Sequence, residues 1–262
     1  MLVSHSEKAL TLPELSGPQA VIAFSFRTGG VSAAPLNSLN FSVSQGDSRD
    51  NVRTNCTLLA EDLGVQPHGI VTCRQVHGDN VHVVDSVPLE SPVADALITA
   101  TAGIFLGIKT ADCLPILLLD HAHGVAAAVH AGWRGTVLRI TRKVLRLMKD
   151  RFGTRPADIV AALGPAIGPC CYEVDDAVLV PFRLHIPSPE RFITVGNHSG
   201  ARESYRIDLA ATNRFELASE GVPEENIRSL ELCTCCNEDL FFSHRRDGAD
   251  SGRHIALAGF RG

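Results

Sequence analysis

The chain of 262 residues has 45% apolar and 20% charged residues, the composition of an ordinary globular protein long enough to bury a sizeable core. Its net charge of −5 argues against a general binder of nucleic acid or of membrane surfaces, so we expect neither as a partner. The amino terminus does not read as a signal peptide, and no uncharged apolar run reaches the roughly 18 residues of a membrane span. We therefore expect a cytoplasmic enzyme or binding protein that keeps its eight cysteines reduced.

Strand-like and helix-like segments alternate along the chain. Short apolar runs predict strands over residues 21–26, 69–76, 80–85, 94–99, 103–109, 114–120, 125–130 and 159–163, and over parts of residues 233–262. Helical spacing of apolar residues predicts helices over residues 51–63, 136–152 and 208–220. Because strands and helices do not segregate, the sequence predicts an α/β fold of the α+β type, with mixed sheets flanked by helices. We expect a single domain that spans residues 1–262.

A hairpin in the middle of the chain predicts a functional site. The apolar runs 114–120 and 125–130 flank a short polar turn, and residues equidistant from the centre of a turn face each other across a hairpin. The midpoint of Cys113 and His130 falls within one residue of that centre. Their Cβ atoms are therefore expected about 4.5–5.5 Å apart, close enough to share a metal ion or a proton.

A third candidate ligand is His77, which occupies a polar turn between two apolar strands, although the sequence alone does not bring it to the hairpin. Two imidazoles and a thiolate suit zinc, and three ligands leave a fourth position for water or substrate. Such a zinc ion would lower the pKa of its water to about 7. The spacing alone equally fits Cys113 as a small buried hydrophobe and His130 as a satisfied core histidine.

Several segments resemble the signature blocks of the YfiH family, which is also described as laccase-domain protein, multicopper polyphenol oxidase and purine nucleoside phosphorylase. The blocks are RTGGVS at 27–32, SLN at 38–40, RQVHG at 74–78, ADCLP at 111–115, VHAGWRG at 129–135, GPAIG at 164–168, FFSHRRD at 241–247 and SGR at 251–253. They follow one another over nearly the whole chain. The pattern departs at His244, where tyrosine is more usual, and at Phe41, where an aliphatic residue is more usual.

The resemblance implies that His77, Cys113 and His130 hold a metal ion, zinc or alternatively copper (Cu²⁺), and form the catalytic centre. It implies a fold similar to the catalytic domain of cytotoxic necrotising factor. The implied reaction is phosphorolysis of adenosine, inosine and S-methyl-5′-thioadenosine, with adenosine deaminase activity on the side. The expected partners are therefore a nucleoside and phosphate, and the expected assembly is a monomer or weak homodimer.

Three further residues are candidates for substrate binding. Arg134 lies between the metal histidine and a predicted helix start, a place that favours anions, and with Arg27 it would hold phosphate. Arg134 could equally brace the hairpin. Asn40 could reach substrate or stabilise a turn. Asp112 adjoins Cys113, but neighbouring side chains on a strand point to opposite faces, so we expect a structural role for it.

Two other reactions stay open at this point. Cys113 as a thiolate nucleophile with His130 as its base would give an amide hydrolase, which would suit the editing of peptidoglycan precursors to which the family has been linked. The second open reaction is that of a copper-dependent polyphenol oxidase. His121 and His123 form one His-x-His motif, a feature that could suggest copper binding. Blue-copper sites usually add an axial methionine, and the chain has only two, so we expect these histidines to lie on a solvated turn.

A non-enzymatic metal-binding protein is a third alternative, although a closed structural zinc site normally has four ligands rather than three. The cluster Cys233, Cys235 and Cys236 would need a further pair to complete such a site. Cys170 and Cys171 are available, but vicinal side chains point in opposite directions on a strand. The sequence therefore favours ordinary buried thiols.

Overall fold

The computed structural model describes residues 4–196 and 204–262. Its strands are β1 Ser4–His5, β2 Ala9–Thr11, β3 Ala20–Ser25, β4 Ile70–Thr72, β5 Val81–Val83, β6 Ala96–Thr99, β7 Phe105–Thr110, β8 Leu114–Asp120, β9 Val125–Ala131, β10 Ile159–Leu163, β11 Glu173–Val174, β12 Ile193–Val195, β13 Tyr205–Ile207, β14 Ile227–Ser229 and β15 His254–Phe260. Its α-helices are α1 Pro13–Ser16, α2 Arg49–Leu63, α3 Trp133–Val137, α4 Ile140–Phe152, α5 Asp176–His185, α6 Leu209–Ser219 and α7 His244–Asp247. None of the helices in this part of the chain is long and apolar enough to cross a membrane.

Two six-stranded sheets pack face to face and carry helices on their outer faces. The first has the strand order β1-β2-β3-β15-β7-β4 and the second β14-β10-β8-β9-β6-β5, while β11, β13 and β12 form a small third sheet. Most neighbours are antiparallel, but β4, β5 and β14 pair parallel at the sheet edges. Helix α2 covers the first sheet, and α4 and α6 cover the second. The expected α/β fold with mixed sheets and helices is confirmed.

The central strands of the second sheet are buried on both faces. Leu117 and Leu119 of β8 pack between the two sheets, whereas Ile116 and Leu118 pack under the helices. Two-sided burial explains why β8 reads as a continuous apolar run instead of an alternating one. The hairpin that carries the candidate site is therefore held rigidly at the centre of the fold.

The hairpin register differs from the sequence expectation. Pro115 pairs with His130 and Leu114 with Ala131, so Cys113 is not directly opposite His130. Asp120 pairs with Val125, so the turn is centred between residues 122 and 123, one residue after the midpoint of Cys113 and His130. The Asp120 carboxylate accepts two N–H groups within this turn. Because Cys113 is two residues before Pro115, it lies diagonally across from His130 on the same face of the sheet.

The helix expected over residues 136–152 is in fact two helices. Helix α3 begins at Trp133 and ends at Val137, and α4 begins at Ile140 after Arg139, which has a left-handed φ of 61°. The guanidinium of Arg139 binds the buried carboxylate of Glu216 on α6. This long-range ion pair accompanies a break that the helical spacing of the sequence does not reveal.

Candidate active site

The structure brings the three candidate ligands together. His77 lies in the turn between β4 and β5, Cys113 just before β8, and His130 near the end of β9. One ligand atom from each, a thiol sulfur or a ring nitrogen, lies within 4.8 Å of the other two. The two imidazoles meet edge to face with their centroids 4.9 Å apart. Their roles as metal ligands and catalytic residues stay predictions.

A buried carboxylate that the sequence analysis missed fixes both histidines. Asp95 is fully buried at the start of β6, and its Oδ1 lies 2.8 Å from Nδ1 of His130. The same carboxylate accepts the backbone N–H groups of Val76, His77 and Gly78 at 3.2, 2.9 and 2.7 Å. These bonds hold the turn in which His77 has a positive φ of 57°. The sequence did hold a signal for Asp95, which is a single acid at the start of an apolar predicted strand. A charge buried there requires hydrogen-bonding partners.

The hydrogen bond to Asp95 sets the tautomer of His130. Nδ1 donates to the carboxylate, so Nε2 is left to face the site, as in the carboxylate–histidine pairs that orient metal ligands. Burial alone would raise the pKa of Asp95, but the bonds with His130 and with the backbone outweigh it and lower that pKa. Asp95 is therefore a carboxylate at neutral pH.

In the metal-free protein, Cys113 and His130 stabilise each other as an ion pair. Burial would raise the pKa of the Cys113 thiol, but the nearby His130 imidazolium outweighs it and lowers the pKa to about 6. Burial would likewise lower the pKa of His130, but the thiolate and Asp95 raise it to about 9. A thiolate of this kind is the ligand form of cysteine and also its nucleophilic form.

Close packing around Cys113 depends on a glycine. A Cβ atom at Gly132 would lie 2.9 Å from the sulfur of Cys113 and 3.8 Å from the ring of His77. Any larger residue would push into the space between the ligands. Tetrahedral zinc with bonds of about 2.0–2.3 Å needs ligand atoms roughly 3.5 Å apart, which the three side chains can reach with small movements. The residues present therefore fit a metal ion.

The three residues line one cleft of about 560 Å³, a size typical of small-molecule sites. The cleft is rich in positive charge, and its cationic side chains are Arg74, Lys109, Arg245 and Arg253. Its acid, Asp112, is already engaged, because its carboxylate accepts the Thr234 hydroxyl and the Arg245 N–H, each at 2.6 Å. The cleft is therefore suited to an anionic ligand, and Asp112 makes the structural contacts expected of it.

The three predicted substrate-binding residues do not line this cleft. Arg27 donates to the carbonyls of Asn37 and Glu238. The guanidinium of Arg134 lies over the Trp133 ring at 4.4 Å. Helix α3, in which Arg134 lies, is a single short turn rather than the start of a long helix. A role for these two arginines in binding substrate stays a prediction.

Asn40 is fully buried and bonded on both ends of its amide. Its nitrogen donates to Ser42 and Asp47, and its oxygen accepts the N–H groups of Ser42 and Arg253. It thus fixes the backbone at Arg253, which does line the cleft. Direct contact between Asn40 and substrate stays a prediction.

His121 and His123 lie on the hairpin turn at the opposite end of β8 and β9 from the three candidate ligands. His121 is 2.7 Å from the carbonyl of Leu15, and His123 is 2.8 Å from Asp120. Both side chains are exposed and neither lines the cleft, so they lie on a solvated turn as expected.

A second group of thiols contradicts the expectation of buried cysteines. The sulfurs of Cys170, Cys171, Cys233 and Cys236 all lie within 4.8 Å of one another. Cys170 and Cys236 are exposed, and Cys235, which the sequence grouped with them, lies outside the cluster. The expectation failed because Cys170 and Cys171 lie on a turn, where the opposite-face rule for strands does not apply.

The fold and the site together define a two-sheet α/β protein with a Cys/His/His centre in the wall of a cationic cleft. Comparison with known proteins gives the family. A family model described as multi-copper polyphenol oxidoreductase laccase matches residues 21–261, so the chain belongs to this family of enzymes. The resemblance to the YfiH family is thereby confirmed.

Individual relatives agree with this assignment. The chain is 39% identical to "Purine nucleoside phosphorylase YlmD" of Geobacillus stearothermophilus, over 92% of this chain and 90% of the relative. It is 38% identical to "Adenosine deaminase RL5" of an unknown prokaryotic organism, over 90% and 92%. The crystal structure of Bacillus licheniformis hypothetical protein YfiH superimposes with a TM-score of 0.91 at 32% identity, covering 99% and 98% of the two chains.

Alkylation of metal-free protein should reveal the lowered pKa of Cys113. The thiolate is present above that pKa, so labelling by iodoacetamide should have a midpoint near pH 6 and disappear as the pH falls through it. Peptide mass spectrometry at each pH measures the labelling. His130→Gln should move the midpoint up to the usual value of about 8.5 or above it, because the effect of burial then dominates. Cys56, whose pKa burial raises to about 11, is the internal control and should stay unlabelled at neutral pH. A wild-type midpoint near 8.5 would contradict the ion pair.

Replacing the buried carboxylate should weaken metal binding. Asp95→Asn is expected to lower metal affinity about 10–100-fold, because the carboxylate orients His130 and holds the His77 turn. Competition against a chromophoric chelator measures the affinity. Asp120→Asn is the matched control, since Asp120 is also fully buried and lies 2.8 Å from a histidine, but far from the site. Equal losses in both variants would mean that Asp95 acts only through general stability.

Proposed function

We propose that this chain is a zinc-dependent purine nucleoside phosphorylase that acts on adenosine, inosine and S-methyl-5′-thioadenosine, with adenosine deaminase as a side activity. The observation that carries the proposal is a cationic cleft of about 560 Å³ that is lined by the closely spaced His77, Cys113 and His130. The names of the relatives, a purine nucleoside phosphorylase and an adenosine deaminase, support the same substrate class.

Zinc is the proposed ion because two imidazoles and one thiolate suit it and leave a coordination position open toward the cleft. When bound, zinc supplies a Lewis acid and a water of lowered pKa, which suits deamination at C6 of adenine. Asp95 holds the proton on Nδ1 of His130, so Nε2 is free to act as a ligand. Gly132 keeps the space between the ligands open.

Phosphate is expected to bind among the cations that line the cleft. Lys109 is partly buried beside Cys73 and Cys56, and burial lowers the pKa of its ammonium. A phosphate anion would stabilise the charged form of this side chain. Lys109, Arg74 and Arg253 would together hold the phosphate with its attacking oxygen in place. They would also offset the charge that develops during transfer of the ribose.

The nucleoside is expected to occupy the part of the cleft lined by Tyr172 and Ile167. Burial raises the pKa of the Tyr172 phenol, so the hydroxyl stays protonated at neutral pH and can donate a hydrogen bond. In phosphorolysis the glycosidic C–N bond breaks, a phosphate oxygen bonds to C1′ of the ribose, and the base leaves as the neutral purine after taking up a proton.

An amide hydrolase that edits peptidoglycan precursors is a second candidate. The thiolate–imidazolium pair of Cys113 and His130 favours it, since this is the activated form of a cysteine nucleophile.

A copper-dependent polyphenol oxidase has less support. Of the two methionines, Met148 packs in the core under the helices, and Met1 lies outside the described residues. Met148 is therefore not placed to be an axial ligand.

Product analysis separates the first two functions. Purified protein incubated with inosine should release hypoxanthine only when phosphate is present, and complete metal removal should abolish the reaction. Hypoxanthine release without phosphate would refute phosphorolysis. Amide cleavage that survives metal removal but is lost on thiol alkylation would favour the cysteine hydrolase.

Removing one cleft cation should weaken phosphate binding. Lys109→Met is expected to raise the KM for phosphate about 10–100-fold, as the loss of a hydrogen bond to a charged group costs about 1.5–3 kcal/mol. Lys149→Met, at an exposed lysine of α4, is the matched control and should change nothing. Arg134→Ala tests the alternative phosphate site. A raised KM for phosphate in Arg134→Ala alone would refute the placement of phosphate beside Lys109.

A further inference from the structure

Four cysteine sulfurs outside the cleft centre have the spacing of a metal site. The sulfur of Cys236 lies 3.3 Å from that of Cys171 and 3.6 Å from that of Cys170. With the sulfur of Cys233, all four lie within 4.8 Å of one another. Tetrahedral zinc with Zn–S bonds of about 2.3 Å places its sulfurs about 3.8 Å apart. The two closest pairs are within about 0.5 Å of that value, and the remaining pairs lie within 4.8 Å.

Two turns create the cluster. In the first, the N–H groups of Cys171 and Tyr172 both bond to the carbonyl of Gly168, which lets vicinal thiols reach the same point. In the second, two residues separate Cys233 from Cys236, as in the Cys-x-x-Cys pairs of zinc sites. Asn237 closes this turn by donating to the carbonyl of Cys233 from its backbone at 3.1 Å and its side chain at 2.8 Å.

Backbone N–H and guanidinium groups donate hydrogen bonds to the cluster and to its two turns. The sulfur of Cys233 accepts the backbone N–H of Gly168 at 3.3 Å and that of Cys236. Two guanidinium groups bond to the carbonyls of the same turns, Arg245 to Cys171 and Arg246 to Cys235. They offset the negative charge that four thiolates and a dication would leave.

We propose that Cys170, Cys171, Cys233 and Cys236 form a closed four-thiolate zinc site, separate from His77, Cys113 and His130. Zinc binding releases the thiol protons to solvent and needs no oxidant. Four protein ligands leave no open position, so the second ion is structural. Soft thiolates in a tetrahedral arrangement select zinc over the hard cations.

The second ion would stabilise one wall of the cleft. The first turn leads directly to Tyr172, which lines the cleft, and its carbonyl at Cys171 holds the guanidinium of Arg245. In the second turn the Thr234 hydroxyl bonds to Asp112, the neighbour of Cys113. An isolated β-bridge joins Cys233 of the second turn to Ala166, which lies just before the first turn. Zinc would join them into one unit.

Metal analysis in a variant that disables the first site tests this proposal. His130→Ala protein, purified with a reductant, supplied with zinc and freed of excess, should retain about one zinc ion per chain. X-ray absorption should find only sulfur neighbours, at about 2.3 Å. Adding Cys236→Ser should remove that ion, whereas Cys235→Ser is the matched control and should keep it.

Three results would overturn the four-thiolate site. They are His130→Ala protein that retains no zinc, an absorption spectrum with nitrogen neighbours, and equal zinc retention in the Cys236→Ser and Cys235→Ser variants. The spectrum is measured without any cysteine substitution, so the test stands even if Cys236→Ser fails to fold. None of these readouts is enzymatic activity, so the proposed phosphorylase reaction can fail without affecting this result.

Discussion

The buried carboxylate of Asp95 is the interaction on which the candidate site depends. It receives three backbone N–H groups from the turn that carries His77 and the ring Nδ1 of His130. A buried charge of this kind is tolerated only when all of its hydrogen-bonding capacity is used. One residue therefore fixes the position of one histidine, the tautomer of the other, and indirectly the ionisation of Cys113.

The double-sheet fold supplies the rigid support for that arrangement. Strand β9 is buried on both faces and carries His130 next to its last residue, while Cys113 lies just before β8 on the same side of the sheet. The cleft beside them gathers Arg74, Lys109 and Arg253 from separate parts of the chain. A cationic pocket beside the three candidate ligands suits the proposed transfer of a sugar to phosphate.

The sequence predicted the strands, the helices and the grouping of His77, Cys113 and His130. It predicted less well the contacts that hold these residues in place. Periodicity located β8 and β9, because their composition reflects burial on both faces. The partners of Asp95 lie 17 to 35 residues away, so no local pattern indicates them. The break at Arg139 likewise depends on Glu216, 77 residues further along the chain. Turn geometry, which single-sequence patterns describe poorly, decided the hairpin register and the thiol cluster.

A crystal structure of zinc-loaded protein with inosine and phosphate tests the central claim most directly. The account predicts zinc bound by His77, Cys113 and His130 with its fourth position toward the cleft, and phosphate in contact with Lys109. It also predicts the nucleoside against Tyr172, with its ribose between the two. Zinc absent from these three residues, or inosine and phosphate bound outside the cleft, would contradict it.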